Sequence, residues 1–335
     1  MIKIALDGMG GDNAPSEIVL GAVDAVNEFE QVSISVLGDE NAIREVLKDQ
    51  KYDQSRLTVI PTTEVIEMAE PPVNAIRSKK DSSIVRGMNL VRSGECDCFV
   101  SGGNTGAVLV GGQVIVGRIK GVERPPLAPC FPTTKGFSIL VDCGANVDSK
   151  PSQLVQYAKM GSVYMKEFLG VENPTVGIVN IGAEEEKGNA LVKETFPLLK
   201  ECKDINFVGS VEARDIPHGA VDVMVCDAFV GNVILKLYEG TASALVQVIK
   251  EGLMSSVRGK IGGALIKPSL KKTLLAYTAA DQGGAPLLGL KGLVVKMHGN
   301  STRLECKAAI RQCIRFCESN INEKIKESLL AETAE

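Results

Sequence analysis

With 335 residues, 44% of them hydrophobic and 23% charged, the chain has the apolar side chains for a large core and the polarity of an ordinary soluble protein. A net charge of −4, no Trp and only 4% aromatic residues exclude a broadly basic nucleic-acid face and the stacking platforms that bases need. Nine cysteines scattered singly exclude a disulfide framework at this length, and no apolar run reaches the roughly 18–20 residues of a membrane-spanning helix.

The chain opens on "MIKIALD", strand-like and without the basic start of a signal peptide, so a cytosolic protein with reduced thiols is expected. From there one pattern recurs: a short apolar run, a Gly-rich polar loop, then a helix. "IKIAL" leads to "DGMGGDNAP" and a helix over 16–29. "VSISVL" leads through "GDE" to the helix "NAIREVLKD". The stretch 66–94 reads as mostly helical, interrupted at Pro71-Pro72. "CDCFV" leads to "SGGNTG" and the helical "AVLVGGQVIVGRIK". "FSILV" leads to "DCGANVDSKP" and a helix ending near Leu169; "TVGIV" leads to "NIGAEEEKGN" and "ALVKETFPLLKE". "INFVG" precedes "SVEARD", and "VDVMVC" precedes "DAFVGN" and a helix from about Val233. The last strand is "GLVVKMHG", closed by one long helix from about Thr302 to Leu330.

Strands alternating with helices in this way predict βαβ units around a mostly parallel sheet, with near-continuous apolar strands covered on both faces. No linker or low-complexity stretch divides the chain, so residues 1–335 are expected to form one doubly wound α/β unit, of one lobe or two. The polar loops then all lie at the carboxyl ends of strands and face one crevice. Glycine lets backbone N–H groups come close to a ligand, and helix N-termini behind the loops favour an anion.

The anion is not expected to be a nucleotide. The fingerprint G-x-G-x-x-G fails after Gly8-x-Gly10, where Asn13 replaces the third Gly, and a Walker loop is absent. There is no G-x-S-x-G elbow, and the two histidines, His218 and His298, stand far apart. Neither a metal nor an organic cofactor is therefore expected. The remaining polar loop residues are Asp7, Asp12, Asn104, Asp142, Asn146, Asn180, Lys187, Asn189, Glu212, Arg214, Asp227, Asn232 and His298. Amides and cations can hold phosphate oxygens, while the carboxylates orient them. That mixture suits phosphate as a reactant.

Within this set Lys187 is the expected anion seat. Asn104 and the neighbouring Thr105 begin a helix, where Asn104 either donates to a ligand or caps the helix. Asp227 and Asn232 flank another strand-to-helix turn. Glu212 and Arg214 either serve the site or pair with each other, and His298 either binds phosphate or is structural. Gly10 and Gly11 let the first loop enter the crevice, with Asp7 and Asp12 holding a Lys or the next loop.

The motifs "DGMGGDNAP", "SGGNTGA", "VDCGANVD", "GAEEEKGN", "NFVGSVEARD", "CDAFVGNVILK" and "GGAPLLGLKG" resemble, in order and spacing over the whole chain, the phosphate acyltransferases of bacterial phospholipid synthesis, the PlsX family. Asn13 and Ala228 depart from the residues usual in that pattern. The resemblance implies conversion of fatty acyl-acyl carrier protein and orthophosphate to acyl phosphate and free carrier protein. It further implies a three-layer α/β/α fold like that of isocitrate and isopropylmalate dehydrogenases, and a cytoplasmic homodimer at the inner membrane surface. The rival readings are a short-chain phosphotransacylase using acyl-coenzyme A, a dehydrogenase on the same fold, and a non-catalytic lipid-synthesis scaffold that would be indifferent to mutation of Lys187.

One further segment stands out, at 241–277. Leu245, Ile249, Leu253, Val257, Ile261 and Leu265 recur every fourth residue, and six Lys or Arg face one acid between Lys250 and Lys272. Apolar and basic residues so mixed suit an anionic membrane surface, an acidic carrier protein or a dimer contact. Gly252, Gly259, Gly262, Gly263 and Pro268 predict a helical hairpin rather than one helix.

Overall fold

The computed structural model describes residues 1–276 and 283–330. Its strands fall into two mostly parallel sheets rather than one continuous sheet. The first has β1 (Ile2–Asp7) and β4 (Cys98–Ser101) at its centre, flanked by β2 (Val32–Gly38) and β3 (Leu57–Pro61) on one side. On the other side lie β11 (Leu293–Lys296) and β10 (Ala285–Leu287), the latter antiparallel. The second sheet has the order β5 (Cys130–Thr133), β6 (Gly136–Val141), β9 (Val223–Val225), β7 (Thr175–Asn180) and β8 (Asn206–Glu212), with β5 antiparallel.

Helices cover the faces of both sheets. The first sheet carries α1 (Ser16–Glu28), α2 (Glu40–Leu47), α3 (Pro72–Ser78), α4 (Ser83–Ser93), α5 (Thr105–Gly111) and α10 (Arg303–Glu318). The second carries α6 (Pro151–Leu169) and α7 (Ala190–Glu201). One apolar cluster joins the two sheets: Ile4 and Val36 of the first share it with Ile139 and Val223 of the second. Tyr164 of α6 and Gln312 of α10 meet in that core, where the Gln312 Nε2 donates to the phenolic oxygen at 2.9 Å. A backbone strap completes the joint. The Ala128 N–H donates to Pro286 in the first sheet at 3.0 Å. The Leu127 N–H donates to Asp142 beside the second sheet at 2.9 Å.

Three strands escaped the sequence pattern, β3, β5 and β10. All lie at sheet edges and all contain proline, at Pro61, Pro132 and Pro286. Proline removes a ladder donor and so reads as a strand breaker, yet an edge strand has a free side that tolerates it. The single helix expected over 302–330 is corrected to two, α10 and α11 (Ile321–Leu330), separated where Asn320 takes a left-handed φ of 51°. The helical run after "SGGNTG" ends as a π-helical turn over Gly112–Val116.

The helix expected from Val233 starts earlier. It is α8 (Ala228–Met254), capped by the Asp227 carboxylate, which accepts from the Val230 N–H at 2.9 Å. Ala228 stands at the first helical position, which needs no glycine. Beyond a short break, α9 (Val257–Ala276) follows, so the 241–277 segment is two helices; Tyr277 lies outside the described residues. Gly259 and Gly263 lie against Leu253, which turns inward at the break. The other stripe residues, Leu245, Ile249, Val257, Ile261 and Leu265, are exposed. Within α9 the apolar residues are not confined to one stripe: Leu265 and its neighbour Ile266 are both exposed.

Candidate active site

The strand order of the first sheet reverses between β1 and β4, which places a ligand crevice beyond their carboxyl ends. A cleft of about 620 Å³ opens there and extends across to the second sheet. Its walls come from the loops after β1, β4, β6 and β11 and from α8. The lining mixes apolar side chains, including Leu127, Pro129, Leu235 and Met297, with polar ones, including Asp12, Thr105, Asn232, Lys296, His298 and Glu305.

Glycines make the loop junction possible. A methyl group at Gly10 would lie 2.2 Å from the Asp7 carboxylate, and one at Gly102 would lie 2.8 Å from the Gly10 carbonyl oxygen. Gly11, at φ +110°, packs the same way against Gly299. The glycines therefore bring three loops together. Asp7 is buried and ties the first two loops, accepting from the Ser101 hydroxyl at 2.6 Å and the Met9 N–H at 3.1 Å. Burial pushes its carboxyl up, against the pull of those donors and of Lys296. Asp12 anchors the loop through its own N–H, which donates to Gly299 at 2.7 Å. Asn13 adds two bonds to the carbonyls of Asn300 and Ser301.

Several candidates prove to be fully occupied by structure. The Asn104 side chain caps α5 through the Ala107 N–H at 3.0 Å and donates to the carbonyls of Glu67, Met68 and Glu70. No donor remains for a ligand. Asn146 donates to Asp142 and Pro125, and the Asp142 carboxylate also takes the N–H groups of Leu127, Gly144, Ala145 and Asn146. This arrangement shapes the turn under the cleft. Gly231 presses onto it: a methyl group there would lie 1.9 Å from the Asp142 carbonyl oxygen.

The cleft brings together Asp12, Thr105, Asn232 and His298. His298 is exposed, with Nδ1 at 2.7 Å from the Asn300 amide oxygen and Nε2 at 3.8 Å from Glu239 of α8. The Glu239 carboxylate raises its pKa, opposed by partial burial. A second group lies elsewhere. Lys187 and Asn189 are exposed in the loop after β7, where Asn189 caps α7 through the Val192 N–H at 2.9 Å. Glu212 and Arg214, at the end of β8, pair with each other at 3.0 Å. None of these four lines the cleft.

Among the charged cleft residues, sequence reasoning missed Lys236, Glu239, Lys296 and Glu305, and Lys296 is the buried one. It is only 7% exposed, at the end of β11, and its ammonium donates to the Gly102 carbonyl at 3.2 Å and to the Met297 carbonyl. Burial lowers its pKa to about 8, while Asp7 and Asp12 pull it up. The available signal was a lysine inside the otherwise apolar strand "LVVK".

Residues 2–324 match the model of a family described as "Fatty acid synthesis protein". The chain belongs to this family. Relatives named phosphate acyltransferase are similar over nearly their whole length. One from Clostridium perfringens (strain SM101) is 49% identical over 328 residues, 98% of this chain and 97% of the relative. One from Clostridioides difficile is 46% identical over 327 residues, 97% of this chain and 96% of the relative. Among solved structures, a phosphotransacetylase from Streptococcus pyogenes aligns over 96% of this chain and 94% of its own at a TM-score of 0.61 and 16% identity. The EutD phosphotransacetylase from Staphylococcus aureus aligns over 98% and 94% at 0.57 and 18%. These structures share the family's α/β fold. Among the described residues, no helix is long and apolar enough to cross a membrane.

Proposed function

We propose that this protein is a phosphate acyltransferase that moves a fatty acyl group from acyl carrier protein to orthophosphate. The observation that carries this reading is the cleft at the β1/β4 reversal, lined by both apolar and polar side chains, in a chain whose relatives, matched over nearly their whole length, bear that enzyme's name. The apolar side chains suit an acyl chain, and the amide, hydroxyl and cationic groups suit phosphate. A phosphate oxygen attacks the thioester carbonyl, the carbon–sulfur bond breaks, and the carrier-protein sulfur leaves and takes up a proton. Phosphate is already a nucleophile near neutrality, so holding the two reactants in line supplies much of the acceleration.

Asn232 and His298, which both line the cleft, are the side chains proposed to meet the reacting groups, with Asp7, Gly10, Gly11 and Asp12 building the floor. Lys187, Asn189, Glu212 and Arg214 form the alternative anion site, outside the cleft. The exposed apolar residues of α8 and α9 are proposed to be covered by a second copy of the chain and, towards the basic end, by an anionic membrane surface. The test is release of carrier-protein thiol from palmitoyl-acyl carrier protein with and without orthophosphate. Release that does not depend on phosphate, or that occurs only from palmitoyl-coenzyme A, would overturn the reading. Asn232→Ala and Lys187→Ala then decide which polar group serves the reaction.

A further inference from the structure

We propose that Lys296 is the proton-carrying group of this acyl transfer, delivering a proton to the departing carrier-protein sulfur. The inference rests on the phosphate acyltransferase reading. Its basis is the way the amine is held. Two backbone carbonyls, those of Gly102 and Met297 at the ends of β4 and β11, accept from its nitrogen. An ammonium has three N–H bonds and a neutral amine has two. The carbonyls therefore satisfy two N–H bonds in both states. The remaining position is an N–H in one state and a lone pair in the other, on a residue that lines the cleft. No other partner occupies that position among the described residues.

The surroundings fit a proton carrier better than a pure anion seat. Asp7 of β1 and Asp12 of the following loop face the amine. Glu239 and Lys236 of α8, Glu305 of α10 and His298 share the cleft with it. Its thiols, Cys130 and Cys143, are kept neutral by burial. So many carboxylates would oppose a site built only to hold an anion, but they help keep the lysine protonated in a buried position. Burial in turn brings its pKa to about 8, close to the roughly 8.5 of a free thiol. Proton transfer between such matched groups is efficient.

The step balances as follows. HPO4 dianion attacks the thioester carbon, the carbon–sulfur pair of electrons goes to sulfur, and the Lys296 ammonium protonates that thiolate. The neutral amine then takes the proton left on the transferred phosphate. Acyl phosphate dianion and free carrier-protein thiol result, and Lys296 is again an ammonium.

The test compares wild type with Lys296→Met and Lys296→Arg on palmitoyl-acyl carrier protein, following kcat, the KM for orthophosphate and the pH dependence of each. A proton carrier predicts a fall in kcat of about 10²-fold or more in both variants. It also predicts a phosphate KM within about threefold of wild type and loss of the alkaline limb. Arginine keeps the charge but does not release its proton, so it does not restore the rate. Recovery by arginine, or a raised phosphate KM with kcat unchanged, overturns the proposal in favour of an anion seat. Thermal unfolding shows whether each variant folds. If neither does, the wild-type profile decides: a kcat that falls as pH rises through about 8 supports the proposal, and a flat profile refutes it. Phosphate-dependent release by wild type with no effect of the variants would sink this inference alone, whereas no phosphate-dependent release by wild type would sink the functional reading itself.

Discussion

Gly231 is the position where one methyl group should matter most. It sits in the first turn of α8, and the added carbon of Gly231→Ala would lie 1.9 Å from the carbonyl oxygen of Asp142. Ordinary carbon–oxygen contact begins near 3.4 Å, so the helix must retreat by about 1.5 Å, one residue's rise along its axis. Neither side yields easily. The Asp142 turn is pinned by five N–H donors on its carboxylate. The helix start is pinned by the Asp227 cap and by the Ala228 N–H on the Asn146 carbonyl at 3.0 Å. Overpacking of this kind costs about 1–3 kcal/mol. The same retreat carries Asn232, Leu235 and Glu239 away from the cleft, and a displacement near 1 Å can lower a rate about 10²-fold. Urea unfolding and phosphate-dependent thiol release measure the two effects separately. Wild-type stability together with wild-type kcat in Gly231→Ala would refute both the contact and the placement of α8 at the site.

Three further outcomes are expected. Glu239→Gln should lower the pKa of His298 towards its ordinary 6.5, visible in proton NMR because the chain has only two histidines. The raised value means that the His298–Glu239 contact contributes stability below pH 6.5 and loses it as pH climbs through the folded pKa, a dependence the variant should lack. Asn104→Ala removes a helix cap and the donor to three carbonyls of residues 67–70; a loss of about 2–4 kcal/mol is expected by chemical denaturation, and a loss below 1 kcal/mol would contradict the clamp. Leu245→Glu with Ile249→Glu should convert an associated protein to monomer in light scattering, while Val257→Glu with Ile261→Glu should weaken binding to anionic vesicles. An unchanged mass and unchanged vesicle binding would leave the exposed apolar residues unexplained.

Much of the fold was legible because period and punctuation agreed. β1 and α1 lie within a residue of their expected bounds, the runs "TVGIV" and "FSILV" are strands, and Asp39, Asn189 and Asp227 each cap the helix that follows. The division into two sheets was not legible, since strand periodicity says nothing about which strands pair. Edge strands containing Pro61, Pro132 and Pro286 were hidden for the chemical reason that suits them to an edge. In the cleft, residue type alone could not separate a ligand-binding Asn from a capping one. Asn232 faces the cleft, whereas Asn104 and Asn146 are consumed by backbone groups that no local sequence reveals. Lys296 was overlooked because a lone lysine in an apolar strand looks like a strand end, and only the folded chain shows it enclosed.

The strap at 126–128 gives the molecule a mechanical axis. Its backbone is bonded on one side to β10 and on the other to the Asp142 turn, so the two sheets cannot part there without breaking several main-chain bonds together. The start of α8 lies close to this joint: Leu127 of the strap and Asn232, Leu235 and Glu239 of α8 line the same cleft. Further along, α8 leads into α9, and apolar residues of both are exposed. One continuous helix therefore carries both a wall of the cleft and part of the surface left for a partner.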